Sequence, residues 1–125
     1  MRLANISTRG LVQVDDNIMI SGLFIANQAT QVVVRALGPT LADFGVAGAM
    51  VDPTLEIVNG DGTTLATNDN WKDTQEAAIM ATNLQPPKAV ESAILATLAP
   101  GRYTLQLRGK DRGTGAALLE AYVLK

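Results

Sequence analysis

The sequence predicts an all-β protein: one antiparallel β-sandwich, jelly-roll-like, of about eight strands with one short helix, filling residues 1–125 as a single domain. Three observations carry this. Short runs rich in Val, Ile, Leu and Thr recur along the chain, and such side chains fit a pleated, half-buried surface. Clusters of Gly, Pro, Asn and Asp separate the runs at the spacing of sandwich strands. One stretch alone, residues 71–84, reads as a convincing helix.

The elements follow in chain order. Residues 17–26 (NIMISGLFIA) form a nearly continuous apolar run, as expected of a strand covered on both faces. Residues 26–29 read as a hairpin turn into the β-branched strand 30–37 (TQVVVRAL). Gly38-Pro39 ends it, and residues 40–50, with two glycines, read as a long, partly ordered loop. Asp52-Pro53 opens a new strand, because the residue before proline is pushed to extended geometry. Leu55 and Ile57 then alternate with Thr54, Glu56 and Val58. Asn59-Gly60-Asp61-Gly62 supplies a hairpin turn, and residues 63–67 return as its partner strand. In the helix, Asp73 followed by Glu76 resembles a capping box, which places the helical core near residues 73–82; Gln85-Pro86-Pro87 terminates it. Strands at 90–98, 102–108 and 116–124 complete the chain, joined by a turn at 99–101 and a glycine-rich hairpin loop at 109–115. The predicted core comprises Ile20, Phe24, Val32, Val34, Leu55, Ile57, Ile94, Leu105, Leu107 and Leu119.

Composition narrows function. The chain is 47% hydrophobic but 4% aromatic, so Val, Leu, Ile and Ala must build the core, and sugar stacking on aromatic rings has little to draw on. The net charge is −2 with no basic block, which argues against nucleic acid as a partner. Without cysteine or histidine, Cys/His zinc sites, Cys–His and Ser–His–Asp catalysis, and an imidazole switch are excluded. No apolar run is long enough for membrane insertion by a helix. The N-terminus lacks a signal-peptide core, so an export signal is expected upstream of this chain. The glycine loop at 109–115 lacks the spacing and following helix of a phosphate loop. Glu56, Glu91 and Glu120 are expected within strands, facing solvent or pairing with arginines such as Arg35 and Arg108. Trp71 is expected to cover the sandwich end and anchor the helix.

The segments RLANISTRG, DNIMISGLFI, VVVRALGPTLADFGV, DPTLEIVNGDGTTLATNDNW, ESAILATLAPGRYTLQLRG and GAALLEAYVL, in this order, resemble a β-sandwich module of large exported bacterial proteins of Verrucomicrobia, Planctomycetes and Acidobacteria. Residues 52–109 are also similar to the bacterial pre-peptidase C-terminal domain. The resemblance implies a non-catalytic accessory module, extracellular or at the cell surface, serving adhesion, substrate association or stabilisation of a larger protein. Some relatives bind calcium.

Asp61, Asn68, Asp69, Asn70 and Asp73 are hard oxygen donors of the kind Ca²⁺ prefers. A strand of five residues spans roughly 17 Å, which sets Asp61 and Asp69 at opposite ends of it. Asp69, Asn70 and Asp73, joined by Asp52, are therefore the candidate calcium ligands; otherwise no cofactor is expected. The competing reading is that these residues cap the turn and start the helix. The expected partner is protein, including a further copy of this chain as a self-assembling subunit. Residues 2–11 are the segment predicted to pair with a neighbour's sheet edge.

Overall fold

A computed structural model describes residues 3–124; Met1, Arg2 (where the segment predicted to pair begins) and Lys125 lie outside the described residues. Eight strands form two antiparallel sheets of four. The first sheet runs in the order β1 (Leu3–Val12), β8 (Gly115–Leu124), β3 (Thr30–Leu37), β6 (Ser92–Leu98). The second runs β2 (Met19–Ile25), β7 (Gly101–Gly109), β4 (Pro53–Asn59), β5 (Thr64–Asn68). This is the strand order of a jelly roll.

In this topology only the β4–β5 link joins neighbours in one sheet; every other link crosses between sheets. The 59–63 hairpin is built as predicted. Asn59 Oδ1 accepts the N–H groups of Asp61 and Thr63 at 3.0 and 2.9 Å, and Gly62 takes φ 84°. The links at 26–29 and 109–115 are not hairpins but crossovers. Both use turn chemistry, with Asn27 at φ 74° and Asp111 at φ 52°. A reversal that carries the chain over the roughly 10 Å between sheets needs the same positive φ as one that stays within a sheet.

The core lies between the sheets. Val32, Val34, Leu55, Ile57, Ile94, Leu105, Leu107 and Leu119 are buried as predicted. Ile20 and Phe24 are not: they are 55% and 67% exposed. β2 is an edge strand with one open face, and its pairing sets Met19, Ser21 and Leu23 opposite the inward residues Leu107, Leu105 and Tyr103 of β7. An apolar run on both parities leaves the phase undetermined until the partner strand is known.

Two short helices decorate the sandwich. Residues 40–50 are more ordered than predicted: α1 (Pro39–Asp43) opens the segment, and its end is pinned where Met50 N–H donates to the Ala116 carbonyl at 2.8 Å. The predicted 73–82 helix shortens to α2 (Glu76–Ala81), and Asp73 does not cap it. Gln75 stands at the N-cap without a side-chain cap bond, because its amide is spent on β6, donating to the Leu95 carbonyl and accepting the Leu95 N–H at 2.9 and 3.0 Å. Trp71 does anchor this region. It is buried with Ile79 and Ala93 on the outer face of β6, and its indole N–H donates to the Lys88 carbonyl at 3.2 Å.

Candidate functional site

The predicted oxygen donors gather at the end of the sandwich where β4 starts and β5 and β7 finish. Pro53 pairs with Gly109, which brings Asp52 beside Lys110; the Lys110 N–H donates to the Asp52 carbonyl at 2.9 Å. Leu55 pairs with Asn68, which brings Asp69 to the same place. Lys110 Nζ lies 2.9 Å from Asp69 Oδ2. Burial, then a hydrogen bond to Asp69 and the Asp69 charge, push the Asp52 carboxyl up to about 6, with Lys110 opposing. Asp61, at the far end of β5, takes no part.

Asp52 Oδ1, Asp69 Oδ1 and Asn70 Oδ1 are buried with no N–H or hydroxyl donor to accept from, the two aspartates having only each other. Asp73 is exposed and accepts only a 3.4 Å bond from Asn70 Nδ2. Among the described residues no three His, Cys, Asp or Glu side chains converge as a metal cage does. The donor chemistry nevertheless fits a hard cation, since unsatisfied buried oxygens are what calcium takes. Lys110 already supplies Asp69 with a positive partner. Nothing in the local sequence of the 109–115 loop signals that its lysine meets this distant aspartate.

A cleft of about 370 Å³ adjoins this end, lined among others by Gln13, Asp15, Thr54, Arg108, Lys110 and Arg112. Its cations are matched by carboxylates: Arg108 with Glu56 at 3.3 Å, Lys110 with Asp69, and Arg112 with Asp15 at 3.0 Å. The pairing holds Asp15 below its usual range and Arg112 above it. The glycine-rich loop thus leads into β8 with its charges neutralised, unlike a phosphate cradle.

The strand carboxylates Glu56 and Glu120 are paired with arginines. Glu120 pairs with Arg35 across β8 and β3 at 2.6 Å, and the Tyr122 hydroxyl donates to Glu120 at 3.1 Å. Glu91 departs from expectation. It precedes β6, is fully buried and pairs with no arginine. Its carboxylate accepts four bonds instead, from the N–H groups of Gly38, Thr40 and Lys88 and from the Thr40 hydroxyl, at 2.6–3.0 Å. Gly38 permits this: a Cβ there would stand 2.4 Å from the Met50 carbonyl oxygen.

The two sides of the sandwich differ. On the β5/β6 side, Asn68 Oδ1 accepts the Ala93 N–H at 3.0 Å and Gln75 holds both backbone groups of Leu95, while α2 and Trp71 cover β6. On the other side β1 lies over β2. The segment predicted to pair with a neighbour forms edge strand β1, whose inner edge pairs with β8 in its own chain, from Leu3↔Leu124 to Val12↔Gly115. Ile6, Leu11, Ile20 and Phe24 are left 45–67% exposed along these two strands. No helix among the described residues is long and apolar enough to cross a membrane.

No family model and no curated protein matches the sequence. Among solved structures, the chain is similar to the pre-peptidase C-terminal domain of a collagenase from Bacillus anthracis, determined at 1.0 Å, with 15% identity and a TM-score of 0.58. The match covers 94% of this chain and 88% of that one, and establishes that the two share a β-sandwich fold over nearly their whole lengths.

Proposed function

We propose that this chain is a non-catalytic extracellular accessory module that associates with proteins through the open β1/β2 side of its sandwich. The observation that carries the reading is the pair of exposed apolar side chains Ile20 and Phe24 on the outer face of the edge strand β2. Patches of this kind mark interaction surfaces. The fold shared with an accessory domain of a collagenase supports it, as does the pairing of the strand carboxylates Glu56 and Glu120 with arginines rather than with a reacting group. The test is binding to immobilised extracellular polymers, collagen and gelatin set against cellulose and peptidoglycan. Binding is expected to a protein polymer and to be lost in Phe24→Lys, with no turnover of peptide, ester or glycoside substrates. Binding to a polysaccharide that Phe24→Lys leaves intact, or measurable hydrolysis, would overturn the reading.

A second reading concerns calcium, favoured by the three buried oxygens of Asp52, Asp69 and Asn70 that have no donor to accept from. The ion would sit among these donors, with Asp73 at the margin, and Lys110 would release Asp69. Lys110 supports the acidic pair without it, so the protein folds in chelator. Calcium then raises the melting temperature in proportion to its preference for the folded state, by RT ln(1 + [L]/Kd). That increment disappears in Asp69→Asn. A melting temperature indifferent to millimolar-range calcium leaves the pocket as a pair of aspartates held by Lys110.

A further inference from the structure

Sheet edges expose unpaired backbone groups, and soluble chains guard them with charges, prolines, bulges, short strands or covering elements. Three of the four edges here carry such a device. β5 has five residues, and its pairing with β4 slips between Ile57 and Val58. β6 has its Ala93 and Leu95 N–H groups taken by the side chains of Asn68 and Gln75. β1 carries Arg9.

β2 has none. Its seven residues, Met19–Ile25, include no charge and no proline, and Gly22 is the middle one. Ile20 and Phe24 stand on the solvent face, one on each side of Gly22, and a Cβ at Gly22 would meet nothing within 4 Å.

We propose that β2 pairs antiparallel with β2 of a second copy of this chain, about a twofold axis at Gly22. Symmetry then dictates the register: Gly22 faces Gly22, and Ile20 of each copy faces Phe24 of the other. The strand is its own complement, because an aromatic and a β-branched residue meet twice across it. Such cross-strand pairs stabilise a ladder, and with no charge on the strand no like charges are opposed. The two sheets containing β2 become one sheet of eight strands. β1 lies over β2, close enough that a Cβ at Gly10 would be 3.4 Å from the Met19 side chain, so both edges of the open side approach the second copy. A strand this long spans about 24 Å, and two sheets roughly 10 Å apart with their side chains give a footprint of about 500 Å² per copy. The total of about 1,000 Å² sits at the lower limit for a specific interface, so the dimer is weak and concentration-dependent.

Sedimentation equilibrium of the purified protein, up to about 1 mM, tests this without any other ligand, so its outcome is separate from that of polymer binding. A reversible monomer–dimer equilibrium is expected. Phe24→Lys should weaken it by about tenfold or more while leaving the melting temperature nearly unchanged, since Phe24 packs against little. The register is read with Gly22→Cys, which introduces the chain's sole thiol. A short bismaleimide should cross-link Gly22→Cys about tenfold faster than Leu65→Cys, whose site is exposed on the opposite, guarded side. A monomer at every concentration, a dimer indifferent to Phe24→Lys, or equal cross-linking of the two cysteine variants would overturn the proposal.

Discussion

Glu91 is a carboxylate inside the molecule, held by four donors that come from three separate places: the end of β3, the first turn of α1 and the Lys88 loop. It ties the β3–α1 corner to the entrance of β6. A glutamine at this position has one oxygen to accept with, and its amide group would face two donors. Glu91→Gln should therefore cost about 1–3 kcal/mol in urea denaturation, the range for leaving buried donors unsatisfied. Glu76→Gln, on the exposed face of α2, should stay within about 0.5 kcal/mol. A loss at Glu91 no larger than at Glu76 would mean that water replaces the missing acceptor. The same contrast explains what could be read from sequence at the level of single residues. Asp69 and Asn70 stand out as oxygen donors by type alone, and Asp52 could be added from its place at a strand start. Lys110 and the four partners of Glu91 meet through tertiary pairing, and no local pattern announces them.

At the scale of elements, alternation carries real information only where the two faces of a strand differ in polarity. In β4 and β7 they do. The 54–58 and 102–108 patterns assign Leu55, Ile57, Leu105 and Leu107 to the core, and all are buried. In β2 both parities are apolar, and the choice of Ile20 and Phe24 over Met19, Leu23 and Ile25 had nothing to decide it except the unseen register with β7. The exposed pair is what makes this strand a candidate for association. Turns show a parallel limit. Asn59 to Gly62 closes a hairpin, while 26–29 and 109–115, which also read as hairpin turns, cross between sheets. The predicted capping box failed because Gln75 serves the edge of β6 rather than its own helix. A side chain recruited across the tertiary structure overrides a local propensity worth about 1 kcal/mol.

The whole molecule is a jelly roll with one sealed side and one open side. The sealing is done by Asn68, Gln75, Trp71 and α2 over β5 and β6; the open side presents β1 and β2 with their apolar residues. The sandwich was readable because strand signals recur seven times with turns between them, so individual errors of phase or connectivity leave the class unchanged. The asymmetry between the two sides was not, since it depends on which strands become edges. Amide hydrogen exchange, resolved by residue and run at low and high protein concentration, tests that asymmetry most directly. The Ala93 and Leu95 amides should be protected equally at both concentrations, because their acceptors lie within the chain. The β2 amides that do not face β7 should exchange fast in dilute solution and slow as concentration rises. β2 amides as protected as Leu95 at low concentration, or unprotected at every concentration, would contradict an open side that works by pairing.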